Sequence, residues 1–478
     1  MPTGVRFNTN NTTAVSRSIV SKAVRPVDSV RANEILHDPD WRSNFTGHLR
    51  FLVEAGLDSS ETARSIAKAG LTAAHEEMFF GQRVLKDVTA NLSGAFEFKT
   101  KEIRGKDTPM AGVAVPYRGQ SLRGSTLMTQ IDEWITLGVI TPAVRDVVSE
   151  VLDNPDWLKL DGDSIVLLGA QAQTGPLRYL LAWGADVVAI DLPSPDSSRQ
   201  LASMAEGGAG RVRFPIRPGA PKDERIFGAD LIYEFPEVAT WLEAIPERLT
   251  LGHYYYTESA RYLLLSLAGD ALNAYLMGKR PDVGLAYLFS PAGAYAVGAR
   301  EIDLSAQRFA HSRTWWRKSV GLLSRGHLLT ASYPQDYPFG ICDAQIPQQG
   351  PYYALAKQIQ RWRATNAIEA GHRVSARVAP LTFTQSLLAN KAIAAACSGA
   401  QRFGIEVLEP ETSQALMAIM LVHDLRAERP RFEEPWREEH FAASHNGLWT
   451  CAYSPRSVLS LAAVAGMRAG QKRPNLLE

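Results

Sequence analysis

Cysteine is scarce: Cys342, Cys397 and Cys451 are the only three among 478 residues, and they stand far apart. That spacing excludes a disulfide framework and a thiolate zinc site, and fits free thiols in a reducing compartment. An excess of charge of one sign is also missing. Lys and Arg number 51 against 50 for Asp and Glu, a net charge of +1 with the signs interspersed, so no electrostatic footprint for nucleic acid or an anionic membrane surface exists. Apolar stretches stop well short of the roughly 18 residues that a spanning helix needs; the densest, near 415–422 and 458–467, are core-helix sized. No integral membrane segment is expected. The ten histidines show no HExxH or comparable spacing, and no GxSxG, P-loop or 20–50-residue repeat occurs, which leaves metal and acyl chemistry unsupported. What is present is 45% hydrophobic residues, ample for two or three packed domains.

Along the chain, residues 1–29 carry Arg6, Arg17, Lys22 and Arg25 with many Ser and Thr and no acid before Asp28. A disordered tail and a cytoplasmic location are expected; the same composition is compatible with an organellar transit peptide. Residues 30–157 read as a helical N-terminal domain. Asp58, Ser59 and Glu61 form a capping signal, Gly70 suits a helix end, and Thr141-Pro142 is an N-cap followed by proline. Arg118, Gln130, Asp132 and Glu133 read as a solvated helix face. Residues 158–425 read as an α/β domain with insertions, and 426–478, with Trp436, Trp449 and Arg456, as a C-terminal extension without assigned chemistry.

The densest information lies in SIVLLGAQAQTGPLRYLLAWGADVVAID, Ser164 to Asp191. Ile165–Leu168 suits a buried parallel strand, Gly169–Gly175 a turn, Leu177, Leu180 and Leu181 a helix ended by Gly184, and Val187–Ile190 a second strand. In a dinucleotide-binding unit, the turn and helix N-terminus hold a pyrophosphate and the acid after the second strand holds ribose hydroxyls. The turn is imperfect, with Gln171 and Thr174, or Gln173, where glycines are usual. An S-adenosylmethionine-dependent methyltransferase and a sheet that binds no nucleotide therefore stay open as alternatives.

Further strands are expected at 212–215, 230–235, 249–255, 283–289 and 327–331, with helices at about 257–278 and 304–323. Strands alternating with helices make a doubly wound, Rossmann-like parallel sheet. After the 327–331 segment come Ser332, then YALAK from Tyr353 to Lys357, then GHRVSARVAPLTFT from Gly371 to Thr384. In this order they resemble the short-chain dehydrogenase/reductase family, in which a Ser ends the fifth strand, YxxxK opens the next helix and a strand written roughly GIRVNxVxPGxxxT follows. PDVGLAYLFSPAG, from Pro281, is similar to the family's fourth strand, with Ser290 and Pro291 where asparagines are usual. EPETSQALMA, from Glu409, is similar to its late helix. The resemblance covers about residues 162–425.

The resemblance implies an NAD(P)-dependent oxidoreductase that interconverts an alcohol and a carbonyl. Tyr353 and Lys357, four apart on one helix face, put an ammonium beside a phenol and lower its pKa from about 10. By the same resemblance Tyr353 exchanges a proton with the carbonyl oxygen, Ser332 holds that oxygen and Lys357 reaches the nicotinamide ribose. Gly169, Gln171, Gln173, Thr174, Gly175 and Asp191 would line the cofactor, with Asp191 favouring NAD over NADP. A second YxxxK, Tyr275 to Lys279, falls about 27 Å along its helix from the strand ends and reads as structural. A small-molecule substrate is expected, apolar in character if Tyr333, Tyr337, Phe339, Phe383, Trp315 and Trp316 line its pocket. A homo-oligomer is compatible with everything above. The departures are the 21 residues from Ser332 to Tyr353, where about a dozen are usual, and the long connection from Asp191 to Leu249.

Overall fold

A computed structural model describes residues 4–9, 11–219, 226–312, 324–325, 327–334 and 339–470. Its centre is a seven-stranded sheet: β1 (Lys99–Arg104), β2 (Asp163–Leu168), β3 (Asp186–Ile190), β4 (Arg211–Ile216), β5 (Arg248–His253), β6 (Gly284–Phe289) and β7 (Val374–Val378). The order across the sheet is β7-β6-β5-β2-β3-β4-β1. β2 to β7 run parallel, while β1 joins the far edge antiparallel to β4. Parallel strands covered on both faces need unbroken apolar runs, and β2, β3, β5 and β6 supply them. β1, with sequence KTKEIR, alternates exposed and half-buried residues, as an edge strand does.

Alternate side chains serve two cores. Val166, Leu168, Val188, Leu251, Leu285 and Val378 point to one face, Ile165, Leu167, Val187 and Ala189 to the other. On the first face lie the Leu231–Glu243, Ser259–Lys279 and Gly350–Glu369 helices, and over them the N-terminal helices. On the second lie Gly124–Thr136, Ala143–Asp153, Leu177–Trp183 and Pro410–Arg426.

Several expectations need correction. Residues 4–9 and 11–29 are not a disordered tail: Val5–Phe7 pairs with Met78–Phe80, and Val15, Ile19, Val20 and Val24 are buried against the next helices. Segment 30–157 is rich in helix, as expected, but it packs into the α/β body and supplies β1 to the sheet. Its first half shares the core of one sheet face, and residues 113–151 share that of the other. Gly70 does not end its helix, which runs from Ser60 to Glu77; a Cβ there would lie 2.5 Å from the Trp362 ring, so glycine permits close packing instead.

Residues 230–235 begin a helix rather than a strand, because the Asp230 carboxylate accepts the Ile232 N–H as an N-cap. Residues 327–331 form bends and no strand. The helix expected at 304–323 is seen as Ala299–Ser312, and 313–323 lie outside the described residues. The remaining stretch between β6 and the Gly350–Glu369 helix includes a two-stranded ribbon, Ala294–Gly298 with Phe339–Asp343.

Ion pairs concentrate at the amino edge of the sheet. Asp163, at the start of β2, accepts from Arg248 and Arg373, each at 2.7 Å, and pairs with Arg426 at 3.1 Å. Burial would raise its pKa, but those arginines hold it below the usual carboxylate range. Arg213 and Arg211 bind Asp186 and Glu247 alongside.

Candidate functional site

A cavity of 1180 Å³ lies along the carboxyl edge. It is lined by the first residue after five of the parallel strands: Gly169 after β2, Asp191 after β3, Tyr254 after β5, Ser290 after β6 and Ala379 after β7. The chain winds from β2 outward to β4, then returns to β5 on β2's other side, so the connections diverge and leave a crevice between β2 and β5. At that point Gly169 has φ +81°, and a Cβ would lie 2.5 Å from the Tyr255 Cα. Only glycine fits the turn. The Leu168 carbonyl accepts the N–H groups of Tyr254 and Tyr255, locking the two connections together.

Around the turn, the Asp191 carboxylate accepts the Gln171 and Leu192 N–H groups, both at 2.9 Å. Burial raises its pKa and these two N–H donors oppose the rise. Gln171 lines the cavity while its side chain is tied to Ser197 and Gln200. Thr174 lines it as well. Gln173 reaches across the cavity mouth, its Oε1 accepting the Gln385 N–H at 2.8 Å. Gly175 stands outside the cavity wall and offers its carbonyl to Gln414 on the second face of the sheet.

Tyr353 and Lys357, on the first turns of the Gly350–Glu369 helix, both line the cavity. The Lys357 ammonium donates to the Leu288 carbonyl and to Gln360, each at 3.1 Å, and lies over the Tyr262 ring. Tyr353 stacks on that same ring, with centroids 5.3 Å apart. Burial raises the Tyr353 pKa above its ordinary value, against the expectation that Lys357 lowers it; the Lys357 charge and the nearby Ser290 side chain only pull against the rise. Burial also lowers the Lys357 pKa, and the neighbouring phenol opposes this.

Ser332 is elsewhere. Its hydroxyl donates to the Cys451 carbonyl at 2.9 Å, and it does not line the cavity, because no strand precedes it to carry it to the sheet edge. Ser290 occupies the place expected for it, directly after the fifth strand counted from β2 and beside Tyr353. Its signal in the sequence is the polar residue that follows GLAYLF; likening that segment to the family's fourth strand, with 327–331 as the fifth, passes over it, whereas the structure makes it the fifth. The second YxxxK is remote: Tyr275 donates to Glu243 at 2.7 Å, and Lys279 lies over the Tyr275 ring.

The aromatic lining also differs. Tyr333, Phe339 and Phe383 pack in the C-terminal half, and Tyr337, Trp315 and Trp316 lie outside the described residues. Trp41, Tyr254, Tyr256, Tyr262, Tyr352 and Phe289 line the cavity instead. Arg118, Gln130, Asp132 and Glu133 are outside it, Arg118 pairing with Glu406 and Asp132 with Arg145.

His253, at the tip of β5, is a buried residue of the cavity floor, with Nδ1 facing the Tyr255 hydroxyl and Nε2 facing Asn273 Oδ1, each at 3.0 Å. Those partners call for a neutral ring protonated on Nε2. Burial lowers its pKa from 6.5 to about 4. The unfolded chain therefore takes up this proton near pH 6.5 and the folded one only near 4. The resulting stability is complete above pH 6.5 and disappears as pH falls towards 4, a difference of about 3 kcal/mol. We expect the thermal midpoint to fall over that interval and His253→Gln to fall less steeply from its own neutral-pH value; equal slopes would refute the assignment.

Among the described residues no group of three or more His, Cys, Asp or Glu is arranged to hold a metal ion, and no helix is long and apolar enough to cross a membrane. Fold and cavity together define an α/β protein with a ligand-sized cleft at the carboxyl edge of a mostly parallel sheet. No protein-family model, curated protein or solved structure matches the chain.

Proposed function

We propose that this protein is a nicotinamide-dependent oxidoreductase of short-chain dehydrogenase type, interconverting an alcohol and a carbonyl, with NAD(H) as the preferred cofactor. The observation that carries this reading is the convergence of Ser290, Tyr353 and Lys357 in one cavity with the Gly169 turn and Asp191. The strand order, β2 central with β3 and β4 to one side and β5, β6 and β7 to the other, is that of a Rossmann-like dinucleotide-binding sheet.

The residues present suit the group. Gly169 keeps the turn's backbone open, the crevice lies at the reversal of strand order, and the Asp191 carboxylate retains lone pairs for ribose hydroxyls while repelling a 2'-phosphate. When bound, NAD(H) supplies or accepts the hydride. In the reducing direction the neutral Tyr353 phenol gives its proton to the carbonyl oxygen as charge develops there, and the Ser290 hydroxyl donates a hydrogen bond to the same oxygen. Lys357 steadies the resulting phenolate through its nearby charge. Swinging the Gln173 side chain off Gln385 makes room for a pyrophosphate.

That Gln173–Gln385 bridge favours a second reading, a non-catalytic sheet whose mouth stays closed to dinucleotides. Titration with NADH, followed by tryptophan fluorescence, separates the two, with Trp41 in the cavity wall as a reporter. Saturable quenching is expected, together with a thermal shift worth about 2.7 kcal/mol at a hundred times Kd. NADPH should shift the midpoint less. Absence of NADH binding at millimolar concentration refutes the enzyme, and a shift with S-adenosylmethionine alone would instead make the protein a methyltransferase.

A further inference from the structure

The main cavity does not end at the catalytic cluster. Ala292, Ile346, Leu381, Ile393 and Cys397 line it and also line an adjoining cavity of 70 Å³, which we take as its side branch. The branch runs between the Lys391–Gly399 and Pro455–Gly470 helices, where its wall is built by Ala396, Phe403, Ile405, Leu448, Val458 and Leu459. These two helices pack with backbones nearly touching at two levels, since a Cβ on Gly399 would clash with the Ala462 carbonyl oxygen and one on Gly466 with the Ala395 carbonyl oxygen, so the branch lies along one side of their contact. The polar residues in the wall are committed to other partners. Gln345 donates to the Thr46 carbonyl and to Asp343, and Arg456 donates to Asp343 at 2.9 Å. At the junction, burial pushes the Cys397 thiol up to about 11, so it stays a neutral, weakly polar wall group.

Resting on the oxidoreductase reading, we infer that the substrate bears an unbranched aliphatic chain, which enters this branch between the two C-terminal helices while its oxygen-bearing carbon stays beside Ser290 and Tyr353. The branch holds about five to seven carbon atoms, at roughly one per 10–15 Å³. A mostly apolar wall rewards methylene groups and penalises hydroxyls or charge, which would lose water without gaining a partner. The C-terminal extension thereby selects the length of the substrate chain.

Calorimetric titration of the full-length protein with 1-butanol, 1-hexanol, 1-octanol, 1-decanol and 1-dodecanol, without cofactor, tests it. Affinity should rise about threefold to fourfold per methylene and level off once the branch is full. In Leu459→Trp, which fills the branch, the rise should stop about five to seven carbons earlier. A flat series in the wild-type protein overturns the inference even if the variant fails to fold, and so does an unchanged series in a folded variant. Because the alkanol series needs no NADH, failure of NADH binding would sink the cofactor reading while leaving this result standing.

Discussion

Tyr353→Phe is expected to lower turnover by about 10²- to 10⁴-fold while leaving NADH affinity nearly unchanged. The substitution removes one oxygen and keeps the ring, so the stack on Tyr262 survives and a folding defect is not the expected cause. The pH profile provides the mechanistic reading. Burial holds the Tyr353 pKa above its ordinary 10 despite Lys357 and Ser290, so the phenol is protonated at neutral pH. Carbonyl reduction, which consumes that proton, should be level from about pH 6 to 8. Alcohol oxidation needs the deprotonated form and should climb about tenfold per pH unit on the alkaline side. Lys357→Met removes the opposing charge and should move the oxidation limb to still higher pH. A folded Tyr353→Phe variant with wild-type turnover, or an oxidation rate independent of pH, would eliminate Tyr353 as the acid and base.

Ser290→Ala and Ser332→Ala should separate by about two orders of magnitude in turnover. In the proposed mechanism Ser290 donates to the reacting oxygen, and loss of one such donor costs about 10²- to 10³-fold. Its structural loss is small: the Ala292 N–H forfeits a 3.2 Å acceptor, and the contact from Tyr295 to the Ser290 carbonyl is retained. Ser332 bonds to the Cys451 carbonyl outside the cavity, so its alanine variant should keep turnover within about twofold and lose roughly 1 kcal/mol of stability. Steady-state rates together with thermal midpoints distinguish the cases, and a reversed ranking would mean that the catalytic oxygen lies near the C-terminal half of the chain.

Much of the sheet is legible in the sequence because strands buried on both faces are written as short apolar runs. β2, β3, β4, β5 and β6 fall within a few residues of where those runs stand, β7 (VSARV) falls where the family resemblance rather than an apolar run put a strand, and Gly184 caps the Leu177–Trp183 helix in the left-handed conformation as its position suggests. Legibility fails where burial is one-sided or absent. β1 is too polar to announce itself, and DLIYEF reads as a strand although its N-cap starts a helix. The N-terminal helices resemble a tail because their composition is Ser and Thr rich, yet Ile19, Val20 and Val24 are spaced to bury against neighbours distant in sequence.

The sequence by itself determined the periodic elements and the pairing of Tyr353 with Lys357, since both rest on side chains three or four residues apart along one helix or alternating along one strand. Only the tertiary structure decided which serine joins them. Ser332 is 21 residues from Tyr353 and Ser290 is 63, yet the strand order delivers Ser290 to the carboxyl edge, while the excursion after β6 carries Ser332 to Cys451. Proximity at a sheet edge follows from how crossovers stack strands side by side, and that is a nonlocal property no run of adjacent residues contains.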